Sequence, residues 1–327
     1  MGSANIFKHE IILVFKMTKR VASFALRIVI LSLSRIYIWL SVIPYLIIHE
    51  GLSKSFVIKF TFNSIVVLER RRVFKVALNK KSTIGLEFNN FEKIRELHPY
   101  TLDILPDYNM KRNKFISYLS APRYEIVNLP DSLELATRIF ELMRECHKPE
   151  VRLQIIETAE LAAGLSVISQ IYGESIRLMI QHFVDLYLKS GKYHIGLAHG
   201  DFHSRNIVID EYCKPRIIDL DCVRFCGIQE LDAFYFLMEQ EWSESGSLWY
   251  ETIVEYFKGD IPDKAIAVLN RFGVDYCHGL AVTYLVDRVG QEKMNYGFKY
   301  TDLQLAPAIN EILFISTSMA SAYSQVH

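Results

Sequence analysis

A run of apolar side chains occupies residues 21–48, interrupted by charge only at Arg27 and Arg35. On a helix at about 100° per residue, Lys16, Arg20, Ser23, Arg27, Ser34 and Ser41 line up in one narrow basic and hydroxyl stripe on an otherwise apolar cylinder. That pattern suits a helix lying in a membrane interface, and its length leaves a membrane span and packing against the protein itself as alternatives. A simple span would keep Lys16, Lys19 and Arg20 inside and export everything downstream, so the interfacial reading comes first.

From residue 55 the apolar period shortens to two. Residues 56–62, 65–68 and 73–78 are separated by short polar turns at Asn63-Ser64 and Glu69 to Arg72, which predicts a three-stranded antiparallel meander. A helix is predicted over 86–97, where Leu86, Phe91, Ile94 and Leu97 share a face. It must end before His98-Pro99, because a residue preceding proline disfavours helical backbone. One more strand, 114–119, ends at Ala121-Pro122. Residues 131–188 carry three amphipathic helical segments with breaks near Lys148-Pro149 and Tyr172-Gly173, and a second helical block starts at Glu230, interrupted at Gly259, Pro262 and Gly273. A β-rich insert at 196–225 separates the two blocks. The fold class expected is α+β: an apolar N-terminal helical segment over 1–52, a small β-rich lobe over 53–120, and a large helical lobe over 121–327 that carries the insert.

Half of the 327 residues are hydrophobic, enough for a large core. The 37 basic residues balance the 37 acidic ones, so no net field draws the chain to nucleic acid, and none is expected as a partner. The five cysteines, Cys146, Cys213, Cys222, Cys226 and Cys277, are odd in number and sparse, which points to reduced thiols rather than a disulfide framework. Together with the apolar segment, this predicts a cytoplasmic catalytic portion at the inner face of a membrane surface.

The insert concentrates the reactive side chains. It reads His199-Gly200-Asp201-Phe202-His203-Ser204-Arg205-Asn206, then Ile207 to Ile209, a turn, and Arg216-Ile217-Ile218-Asp219-Leu220-Asp221. If 207–209 and 216–218 pair as the arms of a hairpin, their outer ends meet and Asn206 comes beside Asp219. Phosphoryl transfer needs such a set: one carboxylate to orient the attacking hydroxyl, and oxygen ligands for the magnesium that neutralises a nucleoside triphosphate. His194, His199 and His203 with Asp201 offer a zinc-hydrolase cluster instead, but that reading leaves the relation of Asn206 to Asp219 without a purpose. Cys222 and Cys226 lack further nearby zinc ligands, and Gly191-Lys192 runs into Tyr193 without the earlier glycine of a phosphate-binding P-loop.

The spacing from Asp201 to Asn206, followed by Ile-Ile-Asp at 217–219, resembles the signature of the aminoglycoside phosphotransferases, choline kinases and related sugar kinases. These carry His-Gly-Asp where most protein kinases carry His-Arg-Asp. The resemblance covers residues 197–221. It implies a bilobal protein-kinase-like fold, ATP and magnesium as cofactors, and a small-molecule hydroxyl as acceptor. By it Asp201 is the catalytic base or hydroxyl-orienting residue, Asn206 and Asp219 are magnesium ligands, and His199 is a structural residue of the catalytic loop. Asp221 and Asp232 then brace the site from behind.

Lys75, on the third predicted strand, stands where such kinases place the lysine that contacts the α and β phosphates. Glu87 is preferred over Glu92 as its carboxylate partner, since Phe91 and Ile94 follow it at core-facing positions. The phosphate-covering loop falls at 61–65, where Asn63 and Ser64 turn the chain without a glycine, so backbone N–H groups and the Ser64 hydroxyl have to cover the triphosphate. This departure admits a second reading, a kinase-shaped binding or scaffold protein at a membrane that has lost turnover. No Ala-Pro-Glu segment follows Asp221, which argues against a peptide acceptor. A sugar or lipid-linked saccharide is favoured over an aminoglycoside, because the C-terminal helices lack the concentrated acidic run that attracts a polycation.

Overall fold

The computed structural model describes residues 41–52, 55–60, 64–77, 83–112, 116–126, 129–146 and 158–324. Backbone contacts divide the chain into two compact units, the first made of Met1–Ile84 and Tyr108–Arg123, the second of Gly85–Asp107 and Tyr124–His327. These bounds differ from the expected breaks at 52 and 120, for reasons visible in the packing of each unit.

In the first unit the period-two stretches pair as β1 (Phe56–Phe60), β2 (Ser64–Glu69) and β3 (Arg72–Ala77), with Val67 opposite Phe74 and Val66 opposite Lys75. β4 (Asn109–Arg112) and β5 (Ser117–Pro122) complete an antiparallel sheet in the order β1-β2-β3-β5-β4. β4 has no apolar alternation to announce it: three of its four side chains are exposed. Ile65, Val67, Phe74 and Val76 all turn to one face and are fully buried there. Because strand side chains alternate, Lys75 projects from the opposite face.

That buried face is covered by α1 (Ile43–Glu50), whose Ile43 and Leu46, together with Val42 and Leu52, share a core with Ile65, Val67, Phe74, Val76, Ile116 and Tyr118. Glu50 locks the end of the helix, since its carboxylate accepts hydrogen bonds from the Tyr118 hydroxyl and Lys111 Nζ, both at 2.5 Å. The Arg72 guanidinium donates to its carbonyl at 2.8 Å. One side of the end of the apolar stretch is therefore sheet-covering core, which places residues 42–52 in this unit, while Ile47 and Ile48 remain exposed on the other side. Residues 21–40, the rest of that stretch, lie outside the described residues. Among the described residues no helix is long and apolar enough to cross a membrane.

The second unit opens with α2 (Ile84–Leu97), which stops before Pro99 as proline geometry requires. Its Asn90 donates from Nδ2 to the Leu220 carbonyl at 2.7 Å, a long-range tie that accounts for the grouping of 85–107 with the later chain. β6 (Glu125–Ile126), α3 (Leu129–Arg144), α4 (Ala159–Tyr172) and α5 (Glu174–Ser190) lead to the β-rich insert. The insert holds β7 (Ile195–Ala198), β8 (Ile207–Ile209), β9 (Pro215–Ile217) and β10 (Arg224–Ile228), forming a β10-β7 pair and a β6-β8-β9 sheet. Helices α6 (Glu230–Ser245), α7 (Trp249–Lys258), α8 (Asp263–Arg271), α9 (His278–Tyr296) and α10 (Asp302–Ser324) complete the unit.

The crossing of α4 and α9 fixes the rotation of α9. A Cβ on Gly164 would lie 1.9 Å from the Val286 carbonyl oxygen, and one on Gly290 would lie 1.8 Å from that of Glu160, so the backbones meet where no side chain fits. Asp287, Arg288 and Gln291, which flank this crossing, are thereby given a fixed direction, and all three bond to the insert or its supports.

Candidate active site

The hairpin fixes the site. Ile207 pairs with Ile217 and Ile209 with Pro215, one residue earlier on the second arm than the apolar pattern suggests. One step beyond the ladder, the Ile218 N–H donates to the Asn206 carbonyl at 2.9 Å. Asn206 and Asp219 therefore leave the sheet from the same end. The Asn206 side chain is buried and spends its Nδ2 on the Asp201 carbonyl at 3.0 Å, which leaves Oδ1 as its oxygen for a ligand. Asp219 has left-handed backbone, φ 63° and ψ 57°, and is one of two non-glycine residues with positive φ among the described residues. Such a conformation costs about 1–3 kcal/mol and collects at functional sites.

An amide oxygen and a carboxylate suit a hard divalent cation such as magnesium, which takes few protein ligands and fills its shell with water and phosphate oxygens. Among the described residues no group of three or more His, Cys, Asp or Glu side chains is placed to hold a metal ion by itself.

His199 joins the two loops. Its Nδ1 accepts the Asp201 N–H at 3.3 Å, so its Nε2 carries the proton and donates to the Ile218 carbonyl at 3.0 Å, one residue before Asp219. Asp232, at the start of α6, receives the His199 N–H at 2.6 Å and the Gly200 N–H at 2.8 Å. Burial raises the Asp232 carboxyl to about 6, and His199, the two N–H groups and Arg224 offset it only in part. The Gly200 carbonyl, in turn, accepts from Gln291 Nε2 at 2.5 Å. Glycine is required there: φ is +78°, and a Cβ would stand 2.3 Å from the Cys222 carbonyl oxygen. Phe202, fully buried and within 6.4 Å of the Phe140, Phe236 and Phe272 rings, anchors the loop in the apolar core.

Asp201 is set in the opposite electrostatic environment from Asp232. Burial would raise its carboxyl, but His203, with Nε2 at 3.5 Å from Oδ2, and Arg288, at 3.5 Å from Oδ1, outweigh burial and hold it at about 2. A carboxylate so acidic stays ionised at neutral pH, which suits orienting a hydroxyl better than strong general-base work. Asp201 and Arg288 line a cavity of about 450 Å³ within the second unit, with Trp242, Trp249, Tyr250 and Tyr284 among its walls. Aromatic walls with a few directed polar groups are the usual make-up of a small-molecule site.

The other sequence-derived candidates occupy defined places. Lys75 and Ser64 belong to the first unit, Ser64 being buried at the start of β2, while Thr61 to Asn63 lie outside the described residues. Glu87 is buried on α2, whereas Glu92 is half exposed and paired with Arg95 at 3.4 Å. Asp221 sits in the single helical turn 220–222 directly after Asp219. Sequence reasoning missed the residues that hold the loop from α9. Asp287 forms a buried ion pair with Arg224 at 2.7 Å and accepts the Tyr235 hydroxyl at 3.1 Å, and Tyr235 also bonds Gln291. Their signal was the four-residue spacing of Asp287 to Gln291 and Arg288 to Glu292, which puts each pair on one side of a helix.

Comparison with solved structures gives the same architecture. A choline kinase, LicA from Streptococcus pneumoniae, superposes with a TM-score of 0.53 at 13% identity, covering 83% of this chain and 98% of its own. The chain has the fold of these small-molecule kinases. A thermostable aminoglycoside phosphotransferase APH(4)-Ia, in ternary complex with AMP-PNP and hygromycin B, reaches 0.50 at 15% identity over 85% of this chain and 98% of its own. The aminoglycoside phosphotransferase APH(3'')-Id from Streptomyces rimosus also reaches 0.50, at 13% identity over 77% and 98%. No family model matches the chain, and no curated protein matches it in sequence.

Proposed function

We propose that this protein is an ATP- and magnesium-dependent phosphotransferase acting on a hydroxyl of a small molecule. The observation that carries the reading is the pairing of Ile218 with Asn206 across the hairpin end, with His199 bridging that end to the Asp201 loop. Asp201 orients the acceptor hydroxyl. As its oxygen bonds to the γ-phosphorus, the bond to the β–γ bridging oxygen breaks, the diphosphate departs, and the hydroxyl proton passes late to Asp201, as a loose transition state permits. Asn206 and Asp219 are the residues that would hold magnesium, whose charge offsets that of the triphosphate. Lys75, Glu87 and Ser64 take the nucleotide-contacting roles that the family resemblance implies. His199, Asp221 and Asp232 support the loops.

The acceptor class we favour is a sugar, free or lipid-linked. Pyranose rings offer apolar faces for stacking on tryptophan and tyrosine together with many hydroxyls, and the cavity beside Asp201 supplies both kinds of partner. Magnesium-dependent binding and hydrolysis of ATP by the wild type and by Asp219→Ala tests the reading. The wild type should bind and turn over nucleotide, and Asp219→Ala should lose turnover by at least about a hundredfold. Absence of nucleotide binding in both would favour the alternative, a kinase-shaped binding protein without turnover, which the glycine-free loop at 61–65 allows.

A further inference from the structure

The balanced charge of the chain conceals two opposite excesses. Within the bounds of the first unit lie 18 Lys and Arg against 3 Asp and Glu, and the second unit carries 19 against 34. A bias of that size gives the first unit a positive field of its own although the whole chain is neutral. The two carboxylates among its described residues, Glu50 and Glu69, are already matched. Glu50 accepts from Lys111 and Tyr118 and lies 3.9 Å from the Arg72 guanidinium, and Glu69 pairs with Arg72 at 3.0 Å.

The surplus gathers at the turn between β2 and β3. Arg123 donates its N–H to the Arg71 carbonyl at 2.9 Å and its guanidinium to the Glu69 carbonyl at 3.1 Å, which brings Arg70, Arg71 and Arg123 together. All three are exposed, and among the described residues none has a carboxylate beside it. The same turn grips the end of α1, where Arg72 donates to the Glu50 carbonyl at 2.8 Å. That helix turns Ile43 and Leu46 to the sheet and leaves Ile47 and Ile48, in its last turn, 49% and 74% exposed. Two aliphatic side chains therefore stand in water at the helix end that the arginine turn holds.

These cations are not placed for the nucleotide. Lys75 projects from the sheet face opposite α1, and Ser64, where the loop expected to cover the phosphates ends, lies five residues along β2 from Glu69, about 17 Å at strand spacing. A nucleic-acid backbone would engage the arginines and leave the isoleucines in water. An anionic bilayer uses both, because headgroup phosphates accept from guanidinium groups while the acyl boundary takes up aliphatic side chains.

We infer that the last turn of α1 and the β2–β3 turn form a docking surface for an anionic lipid bilayer, with Arg70, Arg71 and Arg123 meeting headgroup phosphates and Ile47 and Ile48 entering the interface. The contact is peripheral, and it goes beyond the phosphotransferase reading without depending on it.

The test is co-flotation of the full-length protein with vesicles of phosphatidylcholine alone and of phosphatidylcholine containing about 30% phosphatidylglycerol. The ratio of the two partition coefficients is the quantity read, so apolar binding common to both, including any from residues 21–40, cancels. The wild type should favour the anionic vesicles by at least about tenfold at low salt, and the preference should fall as ionic strength rises. Arg70→Gln/Arg71→Gln should lower the ratio by about tenfold, whereas Arg70→Lys/Arg71→Lys should keep it. Ile47→Ser/Ile48→Ser should weaken partition into the anionic vesicles by about tenfold. Melting transitions verify that each variant is folded, and if the isoleucine variant is not, the two arginine variants carry the comparison. Equal partition of the wild type into both vesicles, an unchanged ratio in Arg70→Gln/Arg71→Gln, or wild-type partition by the folded isoleucine variant overturns the inference. So does stronger retention by a DNA duplex at equal phosphate concentration, which would assign the charge to nucleic acid. Nucleotide binding measured on the same samples reports separately on the kinase reading.

Discussion

Asp232 makes the stability of the second unit depend on pH in a direction opposite to that of most carboxylates. Its carboxyl is displaced upward, from an ordinary 3.8 to about 6, because burial penalises the charge more than His199, the His199 and Gly200 N–H groups and Arg224 together reward it. A folded-state value above the unfolded one means that the folded chain holds the proton more tightly. The associated stability is complete below the unfolded value and is lost as pH rises through the folded one. At about 1.36 kcal/mol for each step of ten in the proton equilibrium, the displacement is worth about 3 kcal/mol. Asp232→Asn removes the titration and leaves every other group in place, at a separate cost of about 1–3 kcal/mol for the backbone N–H that faces an amide NH₂. The advantage of the wild type over this variant should therefore be largest near about pH 4 and shrink by about 3 kcal/mol by about pH 7. Urea unfolding at a series of pH values, followed through Trp242 and Trp249 in the second unit, measures the difference directly. A difference that stays flat or grows with pH would refute the reasoning. Turnover should titrate over the same range in the opposite sense, with an acid limb near 6 in the wild type, because protonation weakens both bonds that hold the Asp201 loop while Asp201 remains ionised.

Two further substitutions probe the frame of the site. Gly200→Ala places a Cβ 2.3 Å from the Cys222 carbonyl oxygen in backbone at φ +78°, and should cost about 3 kcal/mol or more and abolish turnover even where folded protein is recovered. Thermal unfolding and nucleotide hydrolysis measured on one preparation check both halves of that statement. Leu46→Ala empties a fully buried position between α1 and the sheet and should destabilise the first unit by about 2–5 kcal/mol in the absence of any membrane, whereas a residue serving only as a lipid anchor would show no loss in aqueous unfolding.

Local pattern was sufficient for much of the frame. Alternation marked β1, β2 and β3, a proline closed α2, and the interval from Asp201 to Asp219 encoded the hairpin that brings Asn206 and Ile218 into contact. It was insufficient wherever the deciding interaction was distant. β4 is mostly exposed and paired only through its backbone, so its side chains carry no strand signal. The apolar stretch ending at Ile48 reads as membrane-facing until the partner of Leu46 is known, because a sheet face and a lipid surface select the same side chains. Asp287 and Arg288 lie 68 and 69 residues beyond Asp219 and carry no motif; the helix crossing at Gly164 and Gly290 brings them to the Asp201 loop and its supports.

The two aspartates show why residue type and burial do not by themselves define a catalytic group. Asp232 is fully buried and Asp201 only partly so, at the wall of the cavity, and burial pushes both carboxyls upward. Asp232 meets His199, the dipoles of two N–H groups and Arg224, which together do not overcome the cost of burying its charge. Asp201 meets His203 and the fixed charge of Arg288, which do. The same side chain is thus a loop clamp whose proton occupancy changes near 6 in one place, and in the other an anion that stays ionised at neutral pH. The pH sensitivity of this site consequently belongs to its scaffold, and its insensitivity belongs to the carboxylate that would meet the acceptor, which His203 and then Arg288 hold in its charged form.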